Sequence, residues 1–472
     1  MKENLGVLLA VSSLPSRHGI GDFGKDSFKF IDWCKENNYK YWQILPLNPV
    51  GPGNSPYSST CSFAIDYRYI SLDLLKAMKL LPKVDDFEAG TNMVNFEDVQ
   101  AFKRKWLFKA YKKYMKGNQK ELNAFIRNNP WVLIYGTFAA FKIANNDKPW
   151  NEWRVYYRDY FMRHKFIPRK YKDEIYFEIF MQWIAQKQWL DVLAYARKKG
   201  VKIIADMPFY VGTDSIDVWT RRDQFLFDEK CNQLFEGGCP PDAFSDVGQK
   251  WGSPIYDFEK MKKDGYDLLV TRTGFLAEMC DYLRLDHFRA FDTYYVIPAG
   301  MPDAKIGEWK IGPRTDFFDT LFRRYPNINL IAEDLGDLFD SVLELRDHYH
   351  FPGMFIEEFT IFDVNNSSNE NLIVYPGTHD NETLFGWYKN LEQHHIDFLK
   401  WRLNCYDEEH LYDAIFYYIL SVPSKMTILP MQDILKLDNS ARMNVPGTVG
   451  YPNFAWKLED WSFVDKVYFR NK

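Results

Sequence analysis

The stretch Leu-Arg-Leu-Asp-His-Phe-Arg at positions 283–289 joins a short apolar run to a cluster of charged side chains. The chain repeats this form twice. Apolar residues at 330–332 precede Glu333, and those at 372–374 lead through Pro-Gly to His379 and Asp380. Each carboxylate, Asp286 included, therefore stands between a strand pattern and a helix pattern. This is the place where a (β/α)8 barrel presents its functional groups.

Other parts of the chain extend the same pattern. Short apolar runs at 5–11, 41–45 and 201–205 alternate with helix-like segments, which predicts a parallel sheet buried on both faces. We expect an α/β protein in which residues 1–472 form a single catalytic TIM barrel domain with long active-site loops. Helix-like runs rich in lysine and aromatic residues predict a helical insertion subdomain at 81–170. About ninety residues follow Asp380, so we expect no C-terminal β-sandwich domain.

Composition excludes several classes of function. The 472 residues carry a net charge of −5 with lysine and arginine spread along the chain, which argues against a nucleic-acid partner. No segment is apolar enough for a membrane span or a signal peptide, and the six cysteines show no metal-binding spacing. We therefore expect a cytoplasmic protein with free thiols, no membrane partner and no bound metal. The aromatic content, 18%, provides core residues and also stacking surfaces for sugar rings.

A glycine-rich loop follows the first strand pattern, with Gly19, Gly21 and Gly24 at a spacing that resembles a dinucleotide-binding motif. No acidic residue closes a second strand at the required distance. The loop is better interpreted as a set of tight turns, and we expect no nucleotide or other cofactor.

The carboxylates suit the cleavage of a glycosidic bond, in which two carboxyl groups flank the bond and a third holds the substrate. Asp286 lies close in sequence to Arg284 and Arg289, which predicts a lowered pKa and a competent nucleophile. A structural cluster of ion pairs is the alternative. Glu333 needs a raised pKa to act as an acid, whereas the alternative leaves it idle beside a helix-capping Asp334.

Asp380 is suited to bind sugar hydroxyl groups, with His379 as a hydrogen-bond donor; a simple turn with an Asx hydrogen bond is the alternative. Asp206 ends another strand pattern, and Tyr57 stands in a loop where its ring can lie under a sugar. The segment at 231–256 combines glycine, proline, Phe and Trp, which indicates a mobile lid over the site. An inert surface loop is the alternative.

These motifs closely resemble those of the 4-α-glucanotransferases of the amylomaltase, or disproportionating enzyme, type (glycoside hydrolase family 77, in the α-amylase clan). The matching segments run almost from end to end of the chain: Ser-Ser-Leu-Pro at 12–15, Ile-Gly-Asp-Phe-Gly at 20–24, Trp-Gln-Ile-Leu-Pro-Leu at 42–47, Ser-Pro-Tyr-Ser at 55–58, Asp-Met-Pro at 206–208, the stretches at 284–289, 332–336 and 378–381, and Ala-Arg-Met-Asn-Val-Pro-Gly-Thr at 441–448. Two departures are Ala243, where the family usually has an aromatic residue, and a later predicted strand that reads Ile-Glu-Glu-Phe at 356–359, where a Gln is usual.

The resemblance implies that Asp286 is the nucleophile, Glu333 the general acid and base, and Asp380 the transition-state stabiliser. It also implies substrate contacts by a set of side chains around them: Tyr57, Asp206, Asp242, Phe244, Gln249, Trp251, Arg284, His287, His379 and Asn381. The family lacks the calcium site of α-amylases, so the resemblance implies no metal.

The implied function is transfer of α-1,4-glucan segments between maltooligosaccharides through a covalent glycosyl-enzyme. The expected assembly is a monomer or weak homodimer. A retaining α-glucan hydrolase with the same three carboxylates is the first alternative. A non-catalytic glucan-binding protein is disfavoured by the presence of all three carboxylates, and a nucleotide-dependent synthase by the absence of a phosphate-binding loop.

Overall fold

The computed structural model describes residues 3–51, 53–87, 92–241, 245–336, 338–365 and 368–469. These residues form twelve strands: β1 Leu5–Leu8, β2 Tyr39–Gln43, β3 Lys202–Met207, β4 Phe235–Cys239, β5 Gln249–Pro254, β6 Tyr282–Leu285, β7 Thr293–Pro298, β8 Glu308–Ile311, β9 Leu330–Ala332, β10 Gly353–Ile356, β11 Leu372–Tyr375 and β12 Met426–Pro430. They also form eighteen α-helices: α1 Lys25–Glu36, α2 Leu72–Ala77, α3 Phe96–Tyr114, α4 Lys120–Asn128, α5 Trp131–Ala144, α6 Val155–Arg158, α7 Tyr160–Arg163, α8 Lys172–Lys199, α9 Ile216–Thr220, α10 Phe258–Lys263, α11 Asp267–Glu278, α12 Arg314–Arg324, α13 Asp340–His348, α14 Glu357–Thr360, α15 Leu384–Lys389, α16 Gln393–Leu403, α17 Glu408–Ser421 and α18 Met431–Ile434.

Eight strands form one parallel sheet in the order β10-β11-β12-β1-β2-β3-β6-β9. Its two edge strands, β9 and β10, also approach each other. The backbone N–H of Ala332 donates to the carbonyl of Pro352 at 2.9 Å, and that of Met354 donates to the Asp334 carboxylate at 2.7 Å. The sheet thus closes on itself, and the predicted (β/α)8 barrel is confirmed. Parallel strands direct all their carboxyl ends to one face, where the functional side chains then collect.

Large aromatic side chains fill the layer between the barrel and its helices. Trp42 and Trp189 are both fully buried. Each indole N–H has a backbone partner, because Trp42 donates to the carbonyl of Leu9 at 2.8 Å and Trp189 to that of Met279 at 2.9 Å. A buried indole requires such a partner. The first bond joins β2 to the residue after β1, and the second joins α8 to the end of α11.

Several predicted bounds differ from the structure. The strand predicted at 5–11 ends at Leu8 and is followed by a 3₁₀ turn at Val11–Ser13. The strand predicted at 356–359 is wrong for all but its first residue. Strand β10 ends at Ile356, and Glu357 and Glu358 begin the short helix α14, where acidic side chains favour a helix N-terminus.

A second, antiparallel sheet has the order β5-β4-β7-β8 and was not predicted. Strands β4 and β5 lie inside the 231–256 segment, which is therefore a paired β-ribbon joined to β7. Glycine is required at position 238, because a Cβ there would lie 2.1 Å from the backbone oxygen of Gln249. The mobility of this segment as a lid stays a prediction.

Helices α3 to α7 occupy most of the segment from 81 to 170, and α5 packs along α8. Helix α8 ends where the sequence predicts, because Gly200 adopts the left-handed φ of 77° that terminates helices. The assignment of 81–170 as a subdomain stays a prediction. Among the described residues, no helix has the length and apolar character needed to cross a membrane.

Candidate active site

Asp286 lies directly after β6, at the carboxyl end of the barrel. Its backbone N–H donates to the carbonyl of Met207 at 3.0 Å, which fixes it beside the end of β3. The guanidinium of Arg284, 3% exposed inside the barrel, joins two carboxylates. Its Nη2 donates to Asp286 at 2.8 Å and its Nε to Asp206 at 3.0 Å. Arg284 therefore orients Asp286 from inside the barrel.

The pKa of Asp286 is raised to about 7, so the predicted lowering is wrong. Burial of the carboxyl is the largest cause, and the nearby carboxylates Asp206 and Asp380 add to it. The charge of Arg284 opposes the shift but does not cancel it. The Asp286 side chain is 27% exposed, so one face of its carboxyl is open to the cleft.

Glu333 follows β9, the neighbour of β6 in the barrel. Its backbone N–H donates to the carbonyl of Leu285 at 3.1 Å, and its Oε2 accepts from the backbone N–H of His287 at 2.6 Å. These partners are the two neighbours of Asp286 in sequence. The Glu333 carboxyl is thus attached to the backbone that carries Asp286.

Burial raises the pKa of Glu333 well above its usual value, and the charge of Asp286 raises it further. Arg284 and the N–H of His287 oppose this effect. Burial and the neighbouring charge of Asp286 thus favour the protonated form of Glu333. The backbone of His287, whose N–H donates to Glu333, has a left-handed conformation with φ 50°, which is uncommon outside glycine.

The structure does not support an idle Glu333 beside a capping Asp334. The residue at the N-cap of α13 is Phe339. Asp334 instead accepts from the backbone of Met354 at 2.7 Å and from Arg346 at 2.6 Å. It thereby holds β10 and α13 together and leaves Glu333 facing Asp286.

Asp380 lies in a tight turn at 378–381 after β11. Its Oδ1 accepts from the side-chain amide of Asn444 at 2.6 Å, its carbonyl accepts from Arg442 at 2.6 Å, and its Oδ2 lies 3.4 Å from Nε2 of His379. The side chain of Asn381 closes this turn, because its Oδ1 accepts from the backbone N–H of Thr378 at 2.9 Å. The Asp380 carboxylate therefore makes none of the hydrogen bonds that close the turn, and its side chain is 45% exposed.

Tyr57 connects two parts of the site. Its hydroxyl donates to Asp206 at 2.6 Å, and its ring stacks on His379 with centroids 5.2 Å apart and planes 2° from parallel. Burial lowers the pKa of His379, so the imidazole is neutral at pH 7. This arrangement provides a flat, uncharged surface of the kind that packs against a sugar ring.

The β-ribbon contributes Trp251 to the opposite side. Its ring meets that of His287 edge-on at 4.9 Å, while 38% of the residue is exposed. Burial and the charge of Arg289 lower the pKa of His287 to about 3, and its Nε2 has no hydrogen-bond partner among the described residues. Gln249 accepts from the indole of Trp251 at 3.2 Å.

Most of the predicted site residues thus lie together at one end of the barrel. Asp242 and Phe244 lie outside the described residues, as does Ala243. Asn381 lies in the turn, but its side chain is engaged by protein groups on both sides. Sequence reasoning did not assign Asn444 and Arg442 to the site, although the motif at 441–448 already contained them.

The described residues include no group of three or more His, Cys, Asp or Glu side chains arranged to hold a metal ion. The geometry is that of a carboxylate pair beside an aromatic surface. A family model described as 4-alpha-glucanotransferase matches residues 9–462.

This chain belongs to the 4-alpha-glucanotransferase family.

Curated relatives agree over nearly the whole length. The 4-alpha-glucanotransferase of Streptococcus pneumoniae serotype 4 is 36% identical over 476 residues, covering 97% of this chain and 94% of that protein. The chloroplastic/amyloplastic 4-alpha-glucanotransferase of Solanum tuberosum is 35% identical, covering 99% and 84%. Among solved structures, the amylomaltase from Streptococcus agalactiae in complex with acarbose matches with a TM-score of 0.92 and 33% identity, over 98% of this chain and 96% of that one.

The chain is accordingly a 4-alpha-glucanotransferase. It transfers segments of glucan from one chain to another, and the hydrolase alternative is not favoured.

Removing the amide of Asn444 tests the setting of Asp380 in this glucanotransferase. We expect Asn444→Ala to lower kcat by about 10- to 100-fold with a small change in KM, because a hydrogen bond to a charged group contributes about 1.5–3 kcal/mol. Steady-state kinetics on maltotriose measure this, with Asn118→Ala, an exposed residue before α4, as the control. A change confined to KM would contradict the inference that Asn444 sets the position of the Asp380 carboxylate.

Proposed function

We propose that this glucanotransferase acts by retaining double displacement, with Asp286 as nucleophile, Glu333 as general acid and base, and Asp380 as transition-state stabiliser. One observation carries the proposal. Glu333 is held by the backbone on both sides of Asp286: its carboxyl accepts from the N–H of His287 at 2.6 Å, and its own N–H donates to the carbonyl of Leu285 at 3.1 Å. Burial and the charge of Asp286 favour the protonated form of Glu333. Retention requires an acid and a nucleophile whose carboxyl groups lie about 5–5.5 Å apart, and we expect that separation here.

In the first step, the Glu333 proton passes to the glycosidic oxygen. An electron pair of Asp286 attacks the anomeric carbon, the bond from that carbon to the glycosidic oxygen breaks, and the reducing-end fragment leaves as an alcohol. The non-reducing segment stays on Asp286 as a glycosyl ester, and Glu333 is now ionised.

In the second step, an acceptor glucan occupies the place of the departed fragment. Ionised Glu333 takes the proton of the acceptor 4-hydroxyl, whose oxygen attacks the anomeric carbon. The ester bond breaks, Asp286 regains its charge, and the new α-1,4 linkage has the original configuration. Two inversions at one carbon give net retention.

The surrounding groups are suited to hold the distorted sugar ring. Asp380 and neutral His379 face the vicinal hydroxyl groups, Tyr57 lies under the ring, and Arg284 keeps Asp286 and Asp206 in place. Charge that develops on the sugar in the transition state is positive, so the exposed Asp380 carboxylate stabilises it electrostatically.

Transfer prevails over hydrolysis when an acceptor hydroxyl is held in line and water is kept out. Trp251 supports this role, because its ring covers His287 from the side of the β-ribbon while still presenting a free surface. We assign the predicted contact of Gln249 to the same covering segment. The contacts predicted for Asp242 and Phe244 fall outside the described residues and stay predictions.

Trp251→Ala is expected to lower the ratio of transfer to hydrolysis by about tenfold, because water then reaches the glycosyl ester more often. Purified protein incubated with maltotriose alone checks this, by resolving products by size and following total reducing ends. The unaltered enzyme should give longer maltooligosaccharides and glucose at constant reducing ends, whereas the variant should increase them. Trp401→Ala, which removes a 61% exposed indole on α16, is the matched control. If reducing ends stay constant in the Trp251 variant, the covering role is wrong.

The substrates proposed here are α-1,4-glucans and maltooligosaccharides, with no cofactor required by any step. A cytoplasmic location accords with six cysteines that are all free thiols. For the assembly we propose a monomer or weak homodimer.

A further inference from the structure

A buried acid lies behind the turn that carries Asp380. Glu358, in α14, is only 7% exposed, and its backbone N–H donates to the carbonyl of Pro376 at 3.1 Å. Its Oε2 accepts from the side-chain amide of Asn381 at 3.1 Å. Glu358 thus contacts the chain just before the turn and the last residue of the turn, and the double-displacement chemistry leaves it without a role.

Asn381 links Glu358 to the other residues of the 378–381 turn. Its Oδ1 accepts from both the backbone N–H and the hydroxyl of Thr378, each at 2.9 Å. The same hydroxyl oxygen accepts from the backbone N–H of Asp380 at 3.2 Å. A continuous chain of hydrogen bonds therefore runs from Glu358 through Asn381 and Thr378 to the backbone of Asp380.

The space around Glu358 leaves little freedom. A Cβ at Gly377 would lie 2.8 Å from Glu358 Oε1, so the turn passes directly over the carboxyl. Oε1 has no hydrogen-bond partner among the described residues, and the same is true of Oδ2 of buried Asp433. The cation on this side, Arg442, donates to the carbonyls of Asp380 and Asn444 instead.

The charges facing Glu358 come from three neighbouring elements. Burial raises its pKa well above the usual value, and the carboxyl groups of Asp433 in α18 and Glu382 before α15 add to the shift. Asn381 and Arg442 oppose it. An ionised carboxylate here would be a buried charge without a paired cation, which is costly.

We propose that Glu358 is a positioning residue that holds the 378–381 turn, and with it the Asp380 carboxylate, and that it does so as a neutral carboxylic acid. The proposal rests on the assignment of Asp380 as transition-state stabiliser. Loss of the proton places a second negative charge directly behind Asp380 and weakens the fit of the turn. Activity is therefore present below the pKa of Glu358 and is lost as pH rises through it.

Two substitutions separate the shape of Glu358 from its proton. Glu358→Gln keeps an oxygen that accepts from Asn381 but never ionises, so kcat at pH 6 should stay within about threefold of the unaltered enzyme, and the alkaline limb of the pH profile should move to higher pH. Glu358→Ala removes the acceptor, and kcat should fall about tenfold or more at every pH while KM changes little.

The full-length enzyme with maltotriose, assayed from pH 5 to 10, provides the test. An alkaline limb of Glu358→Gln that superimposes on that of the unaltered enzyme overturns the proposal, whether or not the alanine variant folds. Asp380→Asn tests the underlying assignment separately. If that variant keeps its activity, the role of Asp380 fails; if it is inactive while Glu358→Gln leaves the profile unchanged, only the role of Glu358 fails.

Discussion

Replacing Asp286 with asparagine is expected to lower kcat on maltotriose by about 10⁴-fold or more, with glucan binding preserved. The amide oxygen of asparagine still accepts the 2.8 Å hydrogen bond from Arg284, so the side chain keeps its place. It cannot form the glycosyl ester, however. The measurement is single-turnover and steady-state kinetics, together with a titration of maltotriose binding. Asp397→Asn, an exposed residue on α16, is the control. An unchanged rate would exclude Asp286 as the nucleophile.

A second variant, Asp286→Gly, identifies the role and not only the importance of the residue. With α-maltosyl fluoride as donor, no proton is needed for departure, and added azide enters the space that the carboxylate occupied. Attack from that side gives β-maltosyl azide, with inverted configuration. Formation of the α-azide instead would show that Asp286 is not the group on that face of the sugar.

Replacing Glu333 with glutamine is expected to lower kcat on maltotriose by about 10³-fold, because both proton transfers depend on this group. With α-maltosyl fluoride the first step should be nearly unaffected, whereas the second still lacks its base. The glycosyl-enzyme should therefore accumulate and be visible as added mass on quenched protein. Glu344→Gln, an exposed residue on α13, is the control. Equal losses on both donors would contradict the acid and base assignment.

The pH dependence follows from the same two groups. Asp286 must be ionised, and its pKa is about 7, so kcat/KM should decline as pH falls below neutrality rather than near pH 4. Glu333 must hold its proton, and its pKa is raised well above the usual value, so the rate is lost only as pH rises through that pKa. Glu333→Gln should remove its part of the alkaline limb.

The positions of Asp286 and Glu333 at strand ends could be predicted from the sequence because the strand signals are local. Strands β6 and β9 are short apolar runs that end at Asp286 and Glu333, and a parallel barrel brings such ends to one face. The stacking of Tyr57 on His379 was harder to predict, since the two residues are more than three hundred positions apart in sequence.

The parts that could not be predicted depend on distant neighbours. Strand β4 contains Gly237 and Gly238 and has a loop-like composition, and its pairing with β7 is a tertiary interaction. The pKa of Asp286 was misjudged because its arginines are local in sequence, whereas its burial, the largest cause of the raised pKa, and the charges of Asp206 and Asp380 arise only in the folded chain. Nothing near Asp380 in sequence indicates its partner Asn444.

The pairing of β1 with β12 has a consequence for biosynthesis. Strands β1 and β12, the first and last strands of the described residues, pair side by side within the barrel, with Leu5 opposite Thr427 and Leu8 opposite Pro430. During translation the sheet therefore stays open at β1 until residue 430 has left the ribosome. Contacts of such long sequence separation slow folding, and the uncovered strand is a site for association between nascent chains.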